Sequence, residues 1–122
     1  VSVGELLDKI SILEIKSEKI KDPEKLNFIK DEYKTLKDQL NTYIKNYSEI
    51  ESLYNSLKEI NSKLWVIEDD KRLCEKNSDF GEKFIKLSRD VHFLNDERAK
   101  LKLEINNKTG SKIREIKEYI KY

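Results

Sequence analysis

Leu57-Lys58-Glu59-Ile60-Asn61-Ser62-Lys63-Leu64-Trp65-Val66-Ile67-Glu68-Asp69-Asp70-Lys71-Arg72 is the stretch that decides the fold class. Leu57, Ile60, Leu64 and Ile67 recur at steps of three and four, the spacing that lines up one face of an α-helix. A second line runs along the edge of that stripe: Tyr54, Asn61, Trp65, Glu68 and Arg72. It combines aromatic, amide, carboxylate and guanidinium groups where a plain bundle needs only leucine.

Upstream the same rhythm continues. From Pro23 onward, Leu26, Ile29, Tyr33, Leu36, Leu40, Tyr43, Tyr47, Ile50, Tyr54 and Leu57 alternate steps of three and four, a heptad series of coiled-coil quality. A single helix from Pro23 to Lys76 would be about 80 Å long, awkward for a small domain. A break is therefore expected near Asn46, where Ser48 and Glu51 form a capping-box pattern. Ser2 and Glu5 form another at the start of the chain, ahead of a helix apolar on two sides and so expected to be central. Asp22 and Pro23 stop that helix and start the next. Asn77-Ser78-Asp79-Phe80-Gly81 reads as a turn, and Gly110 as a left-handed C-cap. Helices are expected over about 3–20, 23–45, 48–76, 80–107 and 112–120. The fold expected is all-α: one domain over 1–122, an antiparallel bundle of about four long helices plus a short C-terminal helix, with coiled-coil-like packing.

The chain has 122 residues, enough for one real core. Charged residues make up 40% of it, but 25 basic against 24 acidic side chains leave a net charge of +1. That balance argues against nucleic acid or an anionic membrane as the main partner. Cys74 is the single cysteine, so no internal disulfide forms, and a reducing, cytoplasmic setting is expected. No apolar run approaches the ~20 residues of a membrane span.

Three polar residues fall on stripes that should be apolar. Arg98 fills the step between Leu94 and Leu101, Glu14 projects beside Leu7 and Ile10, and Glu68 edges the Trp65 helix. A charge buried without a partner costs several kcal/mol, so Arg98 is expected to pair with Glu14, Glu68 or both. Asn61 and Asn95 would take the remaining bonds, with Trp65 as a wall. The candidate site is thus Glu14, Asn61, Trp65, Glu68, Asn95 and Arg98, read either as a device that docks helices or as a pocket for a small polar or anionic ligand.

Other chemistry has weaker footing. His92 and Cys74 are far apart and give neither zinc spacing nor a nucleophile pair. Consecutive Glu68, Asp69 and Asp70 point in different directions on a helix. Glu5 and Asp8 share a face, as an acidic pair does in all-α nucleotide pyrophosphatases, yet no matching second pair follows. No phosphate-binding glycine motif occurs. No metal and no cofactor are expected.

Val1-Ser2-Val3-Gly4-Glu5-Leu6-Leu7-Asp8-Lys9-Ile10, with Ile12-Leu13-Glu14-Ile15-Lys16, resembles the opening of DUF6165, a family of small bacterial proteins of unknown function. Leu64-Trp65, Ile67-Glu68-Asp69, Asn95-Asp96, Arg98-Ala99, Lys102 and Ile105-Asn106 resemble its middle and late motifs. Gly110-Ser111, Glu115, Lys117 and Tyr119 resemble its last, although Glu115-Ile116 stands where two acids are often found. The resemblance implies that Glu14, Glu68, Asn95, Asp96 and Arg98 belong to the motif-bearing set. It implies no activity.

Two functions follow as expectations. The first is a non-catalytic module that binds a second copy, as a homo-oligomer such as a dimer, or another protein. The second is a binding protein or enzyme for a small polar or anionic ligand, of sugar or nucleotide type, built on Glu14, Glu68, Asn95 and Arg98 with Trp65 as a wall.

Overall fold

The computed structural model describes residues 2–44 and 47–110. These form four α-helices: α1 (Val3–Lys19), α2 (Pro23–Tyr43), α3 (Glu51–Lys76) and α4 (Glu82–Thr109). A turn of 3-10 helix at Tyr47–Glu49 precedes α3. The fold is an all-α bundle, with no strand among the described residues. The C-terminal helix expected over 112–120 lies outside them.

Local chemistry sets most boundaries. The Ser2 hydroxyl accepts a hydrogen bond from the Glu5 amide at 3.1 Å, and the Asp22 carboxylate accepts one from the Glu24 amide at 3.0 Å with Pro23 in the first turn. Each satisfies an amide that has no partner inside its helix. At the far end of α4, Gly110 takes the left-handed conformation with φ 67°, which a residue without a Cβ adopts at no steric cost.

One boundary follows packing instead. The expected Ser48–Glu51 capping box is not used: Ile50 is the N-cap of α3 and no side chain caps it. Ile50 is 1% exposed and belongs to the main core. Burying that side chain outweighs a cap worth about 1 kcal/mol. The heptad series is consequently divided between α2, which ends at Tyr43, and α3, which begins at Glu51.

Helix α1 packs against each of the other three, and α3 packs against α4 across the turn at 77–81. In that turn Ser78 has φ 53°, and the Asp79 amide donates to the Cys74 carbonyl at 2.8 Å. The core gathers Val3, Leu6, Leu7 and Ile10 of α1 with Leu40, Ile50, Tyr54, Leu57 and Ile105. Helix α1 lies across the α3–α4 hairpin. Its N-terminal half meets α4, where Gly4 and Asp8 contact Asn106 and Arg98, and its C-terminal half meets α3, where Glu14 contacts Tyr54.

Coverage by α1 stops part-way along the hairpin. From Trp65 to Leu101, through the turn and back, Cys74 alone is buried. Ile67, Leu87, Val91 and Leu94 form only a half-buried seam between the two helices. The hairpin therefore projects beyond the core as a two-helix arm.

Candidate functional site

Three separate polar groups fasten α1 to its neighbours; two of the side chains that periodicity marks as misfits, Arg98 and Glu14, each belong to one, and Glu68 belongs to none. The middle group is the most buried. Asp8 Oδ1 accepts from Arg98 Nε at 2.8 Å and from Asn61 Nδ2 at 2.9 Å, while Asp8 Oδ2 accepts from the terminal guanidinium nitrogen Nη2 of Arg98. Asn61 Nδ2 gives its second hydrogen to Ser11 Oγ at 2.7 Å, and Ser11 donates to the Asp8 carbonyl at 2.7 Å. Asp8, Ser11 and Asn61 are all buried. A carboxylate in so dry a place is tolerable because its oxygens receive a fork of charge-assisted bonds.

The second group surrounds Glu14. Tyr54 donates its hydroxyl to Glu14 Oε1 at 2.6 Å and Tyr33 does so at 3.4 Å. Lys58 Nζ lies 3.1 Å from Glu14 Oε2 and 3.0 Å from Glu18. Burial and the adjoining Glu14 carboxylate both disfavour a phenolate. The Tyr33 and Tyr54 hydroxyls are pushed above their ordinary value, and that of Tyr47 is raised to about 12. The Lys58 ammonium is raised as well, chiefly by its hydrogen bonds to Glu18 and Glu14.

The third group closes the start of α1. Asn106 Oδ1 accepts from the Gly4 amide at 2.7 Å, and Lys102 Nζ meets Glu5 Oε2 at 2.6 Å. Gly4 sits so close to α4 that a Cβ there would collide with the Lys102 carbonyl and lie 2.9 Å from Asn106 Oδ1. Glycine lets the helices touch backbone to backbone.

These contacts correct the pairing expected from the sequence. Arg98 binds Asp8, and among the described residues no ion pair joins it to Glu14 or Glu68. The physical reason is position along α1. Arg98 meets the helix at the level of Asp8, while Glu14 lies nearly two turns further on, against Tyr54 and Lys58. Glu68 is exposed. It lines a shallow groove of about 280 Å³ with Trp65, Asp69, Arg72, Arg98 and Asn61, floored by Ile12, Ile15 and Leu64. Asn95 is half-buried on α4 and makes no side-chain hydrogen bond among the described residues. Of the six candidates, then, Asn61 and Arg98 share one group, Glu14 anchors another, and Trp65 and Glu68 border the groove.

Asp8, Ser11, Lys58, Lys102 and Asn106 are among the participants that periodicity missed. The signal for Asp8 was its place near Ile12 and Ile15 on the second apolar side of α1. The Glu5–Asp8 acidic pair is fully engaged, Glu5 by Lys102 and Asp8 by Arg98. No group of three or more His, Cys, Asp or Glu side chains among the described residues is arranged to hold a metal ion.

The polar positions that lock α1 to the hairpin run from Gly4 to Asn106. A family model described as a family of unknown function, DUF6165, matches residues 1–121 and so spans all of them. The chain belongs to the DUF6165 family. No curated protein and no solved structure matches it. In this DUF6165 chain, no helix of the described residues is long and apolar enough to cross a membrane. Its polar groups fasten helices together: the Asp8, Ser11 and Asn61 contacts are internal, the Glu14, Lys58 and Arg98 side chains stay partly exposed, and the Trp65–Arg72 edge lines a groove open to solvent.

Proposed function

We propose that this DUF6165 chain is a non-catalytic helical interaction module, in which α1, backed by α2, braces the root of the α3–α4 hairpin and the arm is the binding surface. One observation carries the reading: from Trp65 to Leu101 a single residue is buried, while Val66, Leu73, Phe80, Ile85 and Phe93 are 42% to 56% exposed. Val66 and Phe93 share one groove with Ile67 and Leu94, Ile85 and Phe93 share another with Phe84, and contiguous apolar surface of this kind marks interaction sites. The Asp8–Arg98–Asn61 group supports the same reading, since it is spent internally on orienting the arm.

A photo-crosslinking amino acid at Leu73, in cells that natively make the chain, tests this. Protein adducts from Leu73 that are absent from the same probe at exposed Lys34 support the module.

A second reading rests on the groove beside Trp65. Arg72 could hold a small anion there against the neighbouring Glu68 and Asp69, with the indole as a wall. The absence of adducts from Leu73 overturns the module. A rise in melting temperature with phosphate or a nucleotide, lost in Trp65→Ala and Arg72→Ala, would favour the groove.

A further inference from the structure

We infer that the groove beside Trp65 is a binding site for a free basic amino acid, a small ligand with two cationic groups, one carboxylate and an aliphatic stem. The inference rests on the groove of the second reading above and changes its ligand; it is independent of what the arm binds. Trp65, Glu68, Asp69 and Arg72 stand at i, i+3, i+4 and i+7 of α3, so they share one face of that helix. Ile12 and Ile15 of α1 and Leu64 of α3 give that face an apolar floor, and Arg98 of α4 completes the lining. Ile15 and Leu64 are buried, so the floor is part of the packed core. At about 280 Å³ the groove lies just below the ~300–1,000 Å³ of drug-sized ligand pockets. That suits a single amino acid and leaves little room for a nucleotide.

Charge selects the ligand. Among the described residues Glu68, Asp69 and Arg72 form no ion pair, although Glu68 and Arg72 have the i,i+4 spacing that closes elsewhere on the same hairpin. There Lys63 lies 3.6 Å from Glu59, and Lys86 lies 2.7 Å from Asp90. Arg98 is matched by the buried Asp8. Two carboxylates thus face the groove against one guanidinium. A plain anion would meet a net negative surface, and a neutral amino acid would leave one carboxylate unmatched. Lysine or arginine carries the reciprocal set. Its carboxylate meets the Arg72 guanidinium in a forked pair, and its two cations meet Glu68 and Asp69. Trp65 makes no hydrogen bond or ring contact among the described residues, so its indole face is open to a cation, for which tryptophan is the best aromatic partner. The aliphatic stem lies on the floor of Ile12, Ile15 and Leu64 while its charged head stays in water.

Trp65 is the single tryptophan of the chain, so its indole N–H signal in heteronuclear NMR reports on the groove by itself. Titrating the full chain with L-arginine or L-lysine at low ionic strength is expected to move that signal saturably, in the millimolar range. L-leucine, which lacks the second cation, is expected to bind at least ~10-fold more weakly. Arg72→Met and Glu68→Gln are each expected to weaken arginine binding ~10-fold, with far-ultraviolet circular dichroism unchanged because both positions are exposed. Glu24→Gln, at an exposed position on α2, is expected to leave binding intact. No saturable shift with arginine or lysine overturns the inference. Leucine binding as tightly as arginine overturns it too, as does arginine binding that both groove variants leave undiminished. A shift with inorganic phosphate and none with arginine overturns the basic ligand alone and keeps the anion reading, whereas no shift with either overturns both.

Discussion

Asp8 on α1 and Arg98 on α4 grip each other through two parallel hydrogen bonds, ninety positions apart in sequence. The pair is unequal in its surroundings: the Asp8 side chain is 2% exposed and that of Arg98 is 29% exposed. Arg98→Met strands a buried carboxylate and is expected to cost about 3–5 kcal/mol. Asp8→Leu leaves a guanidinium that can turn toward water, so it should cost less. The double variant Asp8→Leu, Arg98→Met removes the desolvation burden of both ions and should be clearly more stable than Arg98→Met alone. Urea denaturation of the four proteins gives the coupling directly. Additive losses would show that the pair does not act as a unit.

Gly4 and Asn106 fix how closely α1 approaches α4. Inside an exposed helix, glycine to alanine gains up to ~1 kcal/mol. Here the new methyl would meet the Lys102 carbonyl, a backbone atom held in α4. Gly4→Ala should therefore destabilise by about 1–3 kcal/mol, through overpacking. Asn106→Ala should cost a similar amount by stranding the Gly4 amide. Both are read from the midpoint of denaturant unfolding, and a stabilised Gly4→Ala would mean that α4 can withdraw.

The fold was legible because helical periodicity and capping chemistry are local. Asp22 with Pro23, and Gly110, announce their roles within a few residues, and the heptad series needs no partner to be counted. The polar contacts were only half legible. Arg98, Glu14 and Glu68 stood out as charges on apolar stripes, with Asn61 on the edge of one, yet periodicity gives the face of a helix and not the level at which another helix crosses it. Because α1 lies across the hairpin, Arg98 arrives opposite Asp8, and Glu14 arrives opposite Tyr54 and Lys58. Ile50 shows the converse, a local cap signal at Ser48 overridden by burial that only the assembled core creates. The bare arm was hidden for the same reason: Ile67 and Leu94 look like core positions until one sees that α1 ends short of them.

Single polar changes on the arm's apolar face separate binding from folding. Leu73→Ser should alter the stability of one isolated chain by no more than ~0.5 kcal/mol, as expected of a side chain 52% exposed. Leu57→Ser, at a position 0% exposed, should cost several kcal/mol by the loss of a packed side chain and the burial of a hydroxyl. Thermal melts at a concentration low enough to keep the chain monomeric make the comparison. A large loss at Leu73 would place that residue in the core and remove it from the binding surface.

The tyrosines around Glu14 make alkaline pH a probe of the α1–α3 contact. In the unfolded chain a tyrosine releases its proton near pH 10 and a lysine near 10.4. In the folded protein Tyr33, Tyr54 and Lys58 hold theirs to higher pH, and Tyr47 does so to about 12. Between those limits the folded state binds more protons than the unfolded state, so stability falls as pH rises. Their stabilising contribution is complete below pH ~10 and fades above it. Tyr54 is 6% exposed and donates the shortest of these bonds. It alone should contribute a slope that rises toward about 1.4 kcal/mol per pH unit as the unfolded tyrosine ionises above pH ~10. Tyr54→Phe removes that share, so its denaturation midpoint should decline less steeply from pH 10 to 11.5. At pH 7 the same variant should be less stable by roughly 1.5–3 kcal/mol, the worth of a hydrogen bond to a charged group. Equal slopes in the two proteins would show that the Tyr54 hydroxyl is not held by Glu14 in solution.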